Sequence, residues 1–291
     1  MVELRLNGRS AADNSVARRG GPAENRDVSN VLNAEEIDRF TTAGFVRLRD
    51  AFPRELADEC REFLWQETGC DPADPSSWTE PVVRLWGYGS EPFQRAATTE
   101  RLHAAFDQLV GEGRWVPRTG LGTFPIRFPH PADPGDTGWH LDASYTPDGE
   151  NGYWLNLRSR GRALLMLFLF SDVTEADGPT RIKVGSHLDV PRYLAEYGER
   201  GVDGFELCAR MDRDGRLDAP DRETAPATGR AGDVYLCHPF LIHAAQPNRG
   251  STARFIAQPP LVPVGPLELD RADGAHSPVE RAVIRGLQPA D

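Results

Sequence analysis

Lysine is almost missing from this 291-residue chain: Lys183, inside Ile182-Lys183-Val184, is the single one. No G-K-[ST] phosphate loop exists, which excludes a P-loop NTPase. A Schiff-base enzyme would have to work through Lys183, and nothing around it suggests a cofactor pocket. Positive charge is short as well, with 33 Lys and Arg against 44 Asp and Glu and a formal net charge of −11. A nucleic-acid binder is expected to carry a basic stripe along the phosphates, so this balance disfavours one. Long apolar runs are absent. The longest, Ala163 to Phe170, falls far short of the roughly 20 residues a membrane helix needs. No apolar stretch follows the arginines near the N-terminus, so no secretory signal is read, and a cytoplasmic protein without membrane contact is expected. Cysteine is scarce: Cys60, Cys70, Cys208 and Cys237 show no C-x-x-C spacing. Neither a disulfide framework nor a structural zinc site is expected.

What is present describes a loop-rich globular chain, 39% hydrophobic and 9% aromatic, above the range of disordered sequences. Residues 1–30 are polar and without period and read as a flexible tail; residues 31–291 read as one domain. Asn33 followed three residues later by Glu36 predicts a helix start, broken at Gly44 and followed by a strand over Phe45–Leu48. A second helix is expected from Pro53 to Gln66. From about residue 115, short β-like runs alternate with Gly/Pro/Asp loops: 120–128, 163–173, 180–184, 233–238 and 254–259. This pattern predicts a mainly β fold, sandwich or barrel, with flanking helices. A helical turn is read over 191–197, and Ser277-Pro278-Val279-Glu280 opens a C-terminal helix ending at Gly286.

The chemistry concentrates in two places. In Trp139-His140-Leu141-Asp142 an imidazole and a carboxylate stand two residues apart, and on an extended strand such residues share a face. Alone, H-x-D is a weak signal. Downstream, the run Gly232 to His243, the turn Pro247 to Gly250 and the run to Phe255 read as strand, turn, strand. A hairpin centred on Asn248-Arg249 would set His243 directly across from Arg254, and His238 across from Pro259 on the opposite face. His243 is therefore the better ligand candidate. Two imidazoles and a carboxylate with open coordination positions are the ligand set of non-haem Fe(II) oxygenases, and an arginine alongside can clamp a dicarboxylate bidentately.

With these residues in view, the sequence resembles the phytanoyl-CoA dioxygenase-like family of Fe(II)/2-oxoglutarate-dependent oxygenases over about residues 31–287. The resemblance is carried by W-H-x-D at 139–142, by D-G-P-T-R-I-K-V-G-S-H at 177–187, and by G-D-V-Y-L-C-H-P-F-L-I-H at 232–243 with Arg254 eleven residues on. It implies a double-stranded β-helix (jelly-roll, cupin-like) core in which His140, Asp142 and His243 bind Fe(II) and Arg254 binds the distal carboxylate of 2-oxoglutarate. It also implies a reaction with O2 that releases succinate and CO2 and oxidises the substrate, with hydroxylation the default outcome. Related halogenases replace the carboxylate ligand by a small residue. Asp142 fills that position, so halogenation is not expected, while desaturation, ring closure and epimerisation share the same ligands.

The chain departs from the pattern at Ala245, where the family often has a hydroxyl residue, and Thr252 is the expected substitute contact to 2-oxoglutarate. Val184 stands where proline usually precedes G-S-H. The lysine that some members use near the cofactor is missing, with Arg84 or Arg127 as replacements; Arg127 is also the candidate substrate contact. Trp139 and Tyr145 either line a pocket or belong to the core, and His187 is read as ordering its loop. The expected substrate is a small molecule of a biosynthetic pathway, with an acyl-CoA thioester as the alternative. A catalytically silent β-barrel metal- or ligand-binding protein and a zinc hydrolase on the same ligands are the rival readings; the hydrolase would leave Arg254 without a task.

Overall fold

The computed structural model describes residues 30–220 and 222–289. All but one position of the expected tail lies outside these residues. The chain opens with α1 (Ala34–Ala43), β1 (Phe45–Leu48) and α2 (Arg54–Thr68), followed by β2 (Val82–Leu85), α3 (Glu91–Ala97), α4 (Glu100–Val110) and β3 (Phe124–Arg127). Then come β4 (Trp154–Leu155), β5 (Leu164–Leu169), β6 (Arg181–Lys183), α5 (Val190–Ala195), β7 (Val202–Asp203) and α6 (Gly204–Arg213). The last elements are β8 (Thr224–Pro226), β9 (Val234–Cys237), β10 (His243–Ala244), β11 (Ile256–Ala257), β12 (Pro260–Leu261) and α7 (Pro278–Leu287).

Local signals fix the helix ends. Asn33 and Ser277 both form the expected capping boxes, with Glu36 and Glu280 reaching back to the cap N–H. Gly44 closes α1 at φ 91°, a backbone region that costs other residues a Cβ clash. A side chain there would also meet the His187 ring, since an added Cβ would lie 2.6 Å from its Nδ1. Three helices lacked a reading, α3, α4 and α6, although Thr99 caps α4 and Asp203 caps α6 through their side chains. The C-terminal helix passes through Gly286 to Leu287.

Every strand pairing is antiparallel. The larger sheet runs β1-β9-β5-β11, with β12 also on β5; the smaller runs β10-β6-β8. Two short pairs, β2-β3 and β4-β7, flank them. β5 decides the layering, because all six of its residues are buried. Its even positions, Leu164, Met166 and Phe168, pack with the helices in the main core. The odd ones, Leu165, Leu167 and Leu169, face Ile182, Ala227 and Leu241 between the two sheets. The strand is covered on both faces, as its unbroken apolar run predicts. This is the expected jelly-roll core, although the flanking helices hold more residues (29%) than the short strands (19%).

α7 is tied to the body by a buried carboxylate. Glu280 is fully buried, accepts from Arg114 Nη1 at 2.8 Å, and takes the N–H groups of Glu268 at 2.7 Å and Ser277 at 2.9 Å. Burial alone would raise its pKa, but Arg114 and these N–H groups win and hold it at about 2. Glu280→Gln leaves the Arg114 charge with only the more distant Glu268 carboxylate, at 3.7 Å. A loss of about 3 kcal/mol in urea unfolding at pH 7 is expected, and a loss below about 1 kcal/mol would show that the pair does not carry the α7 contact.

Candidate active site

The hairpin expected between His243 and Arg254 does not form. His243 pairs with Ile182 on β6 and is bridged to His140, while Arg254 is bridged to Arg127. The intervening segment passes from the smaller sheet to the larger one, so strands adjacent in sequence belong to opposite layers. Asn248 holds this crossing: buried, it donates to the carbonyls of Arg127 and Thr252 and accepts the Gly250 N–H. His238 does not pair with Pro259 either, because β9 lies between β1 and β5. The structure nonetheless brings His243, and not His238, together with His140 and Asp142. His243 points into the site, whereas His238 is buried against α7, with Nε2 on the Val279 carbonyl at 3.1 Å.

His140, Asp142 and His243 present one ligand atom each, all within 4.8 Å of one another. Asp142 Oδ1 is 3.9 Å from Nε2 of both rings, whose centroids are 4.4 Å apart. Each imidazole is oriented in the same way: Nδ1 of His140 sits 3.0 Å from the Gly138 carbonyl and Nδ1 of His243 3.0 Å from that of Leu241. A carbonyl can only accept, so the proton resides on Nδ1 and the Nε2 lone pair is left for a metal. Burial, together with the neighbouring His140, lowers the His243 pKa to about 4 and keeps that ring neutral. For Asp142, burial opposes ionisation, but Arg162, with Nη1 3.3 Å from Oδ2, and the two imidazoles hold the carboxyl below its ordinary value. Arg162 thus faces one carboxylate oxygen while the other faces the rings. The donor set suits a borderline divalent cation such as Fe(II).

The triad lies in a cavity of about 520 Å³ that also contains Arg127, Arg254 and Arg84. Arg254 is almost fully buried, donates to the carbonyls of Gly178 and Pro125, and keeps an Nε with no partner among the described residues. Burial and the nearby Arg127 push its pKa down. Arg127, 1% exposed, donates to Asp136 and has Nε and Nη1 without partners among the described residues. Two buried guanidiniums with unused donors, one of them (Arg254) bonded only to backbone carbonyls, fit a small dicarboxylate, since a buried cation without a counter-ion is costly until an anion arrives.

Thr252 is not among the residues lining the cavity, and its hydroxyl donates to Asp177 at 3.2 Å. Thr180 and Gln258 line it instead. Arg84 is at the rim, bonded to Asp136. Trp139 is outside the lining, covered by Arg181 and Lys183 at 4.7 and 4.4 Å, while the Tyr145 hydroxyl donates to the Glu199 carbonyl at 3.1 Å. His187 orders its loop as expected, through the Thr41 carbonyl at 3.2 Å. Sequence reading missed Asp136, Arg162, Tyr153 and Phe205. For Phe205, the Asp203 cap with Leu207, Cys208 and Met211 at helical spacing was an available signal; no spacing rule flags the others.

Residues 27–256 match the family model described as phytanoyl-CoA dioxygenase (PhyH). The chain belongs to that family. It is a non-haem iron oxygenase that depends on 2-oxoglutarate. No curated protein matches the sequence. Among solved structures, the 2-oxoglutarate-dependent carbocyclase SnoK from nogalamycin biosynthesis is similar at TM-score 0.52 and 18% identity, over 84% of this chain and 87% of that one. HygX from Streptomyces hygroscopicus, solved with nickel and 2-oxoglutarate, aligns at TM-score 0.50 and 20% identity over 78% and 85%. GlcNAc Inducible Gene 2 of Candida albicans aligns at 0.54 and 15% over 82% and 65%. These likenesses carry the jelly-roll fold. Among the described residues, no helix of this PhyH-family chain is long and apolar enough to cross a membrane.

Proposed function

We propose that this PhyH-family oxygenase hydroxylates a small-molecule substrate, with His140, Asp142 and His243 as the iron ligands and Arg254 as the anchor for 2-oxoglutarate. The observation that carries this reading is the convergence of the three ligand atoms within 4.8 Å beside buried guanidiniums with unused donors. Iron with 2-oxoglutarate and O2 supplies the oxidant, and succinate and CO2 leave. The chain's own residues prepare the site. The carbonyls of Gly138 and Leu241 hold each imidazole with its lone pair inward. Arg162 fixes one oxygen of Asp142, and Arg254 receives a carboxylate. Arg127, backbone-paired to Arg254, is the second donor, so Thr252 is not needed for that contact.

The test is an anaerobic titration of metal-free protein with Fe(II) and 2-oxoglutarate, watching the visible charge-transfer band of the chelate. Wild type is expected to develop the band. Arg254→Ala should bind iron alone as wild type does and need at least about 100-fold more 2-oxoglutarate, the cost of losing one partner of a buried charge pair. Absence of the band in wild type would sink the reading. An unaltered 2-oxoglutarate affinity in Arg254→Ala would move the anchor to Arg127.

A further inference from the structure

Two aromatic rings at the cavity have no task in holding iron or 2-oxoglutarate. Phe205 and Tyr153 both line it, yet they are 47% and 46% exposed. Phe205 stacks on His140, centroids 5.6 Å apart and planes 25° off parallel, and Tyr153 meets Phe205 edge-on at 5.4 Å and 88°. Their positions are built. The Asp203 carboxylate accepts the Phe205 N–H on one oxygen and the Tyr153 N–H on the other, both at 2.9 Å. Gly204 donates to the Tyr153 carbonyl at 2.7 Å, and a Cβ there would lie 2.6 Å from the Leu141 carbonyl, so the start of α6 sits tight on the segment that carries His140 and Asp142. One carboxylate thus fixes two exposed rings against a ligand imidazole. Exposed apolar surface costs roughly 25 cal/mol per Å², and a fixed ring beside a reaction centre favours a flat partner.

The charge in the same cavity is unlike that of the chain. A protein of net charge −11 lines this cavity with Arg84, Arg127, Arg162 and Arg254 against Asp136 and Asp142. Fe(II) and 2-oxoglutarate carry opposite and equal charge, so loading both leaves the excess of guanidinium in place. Arg84, half-exposed at the rim, spends one nitrogen on Asp136.

We infer that the substrate is an anion carrying a flat apolar ring system, the ring lying against Phe205 and Tyr153 and its carboxylate or phosphate directed to Arg84. The inference rests on the oxygenase reading of this cavity and adds the substrate class. A neutral or cationic substrate would leave the excess positive charge uncompensated, and an aliphatic one would leave the exposed surface of Phe205 and Tyr153 without a matching plane.

Protein loaded with Ni(II) and saturating 2-oxoglutarate is titrated calorimetrically with 2-naphthoate, 2-naphthyl phosphate and neutral 2-naphthylmethanol. At least one anion is expected to bind tenfold or more tighter than the alcohol, and the stronger of the two identifies the headgroup. Phe205→Ala, at a half-exposed position that spares the core, should weaken all three probes about tenfold. Arg84→Gln should remove the preference for the anion and leave the alcohol unchanged. Equal binding of the three probes, no saturable binding, or an unaltered Phe205→Ala would overturn the inference. Failure of the oxygenase reading itself is separate, since it appears beforehand as no Ni(II)-dependent binding of 2-oxoglutarate.

Discussion

Iron binding is expected to vanish in His243→Ala and to survive in His238→Gln. Both imidazoles are buried in the run that follows Gly232, but their surroundings differ. His243 Nε2 faces Asp142 at 3.9 Å, with the His140 ring alongside. His238 has both nitrogens occupied, Nδ1 accepting the Phe240 N–H at 3.1 Å and Nε2 on the Val279 carbonyl. Loss of a partner behind a ligand typically costs 10- to 100-fold in metal affinity, so loss of the ligand itself should exceed about 100-fold. Anaerobic Fe(II) titration of each folded variant reads the difference. Iron lost in His238→Gln and retained in His243→Ala would overturn the ligand assignment.

The residues that were legible share a short-range cause. The capping boxes at Asn33 and Ser277 involve groups three residues apart, and the unbroken apolar run of β5 reports a strand covered on both faces. His140 and Asp142 were paired by the i, i+2 spacing of an extended segment, and the structure sets both beside His243 although only His140 makes a bridge there. What failed was long-range pairing. A hairpin register assumes that consecutive strands are neighbours, and in a jelly roll they alternate between sheets: His243 finds Ile182 and His140, and Arg254 finds Arg127. The four residues still share a cavity because the two sheets face each other across it. Arg162 reaches Asp142 from the segment just before β5, twenty positions away, and Phe205 reaches His140 from α6. Contacts of that kind depend on layer packing, which no local pattern records.

Acid is expected to unfold this protein through a pair of histidines remote from the iron ligands. His187 and His238 are fully buried, with ring centroids 4.9 Å apart, where the end of α1, the G-S-H turn and α7 meet. Burial pushes the His187 pKa down to about 3, and burial together with the neighbouring His187 puts His238 well below its ordinary value. His187 Nδ1 is buried without a partner among the described residues, and His238 Nδ1 already accepts an N–H. A proton on either nitrogen would therefore be unsolvated or would oppose another donor. Both rings are neutral when folded and protonate near pH 6.5 when unfolded. Their contribution is complete above that pH and is lost as the pH falls toward the folded values, because the unfolded chain then binds more protons.

Each proton contributes about 1.4 kcal/mol per pH unit, so the pair removes roughly 5 kcal/mol between pH 6.5 and 4.5. That is comparable with the whole stability of many domains. In metal-free protein His243, held near 4, steepens the slope further. Urea unfolding of metal-free protein at successive pH values should show this decline beginning near pH 6.5, above the range where carboxylates protonate. His187→Asn should reduce the slope by about one proton. An unfolding free energy that stays flat from pH 6.5 to 5 would mean that the two rings are solvated or already charged in the folded state.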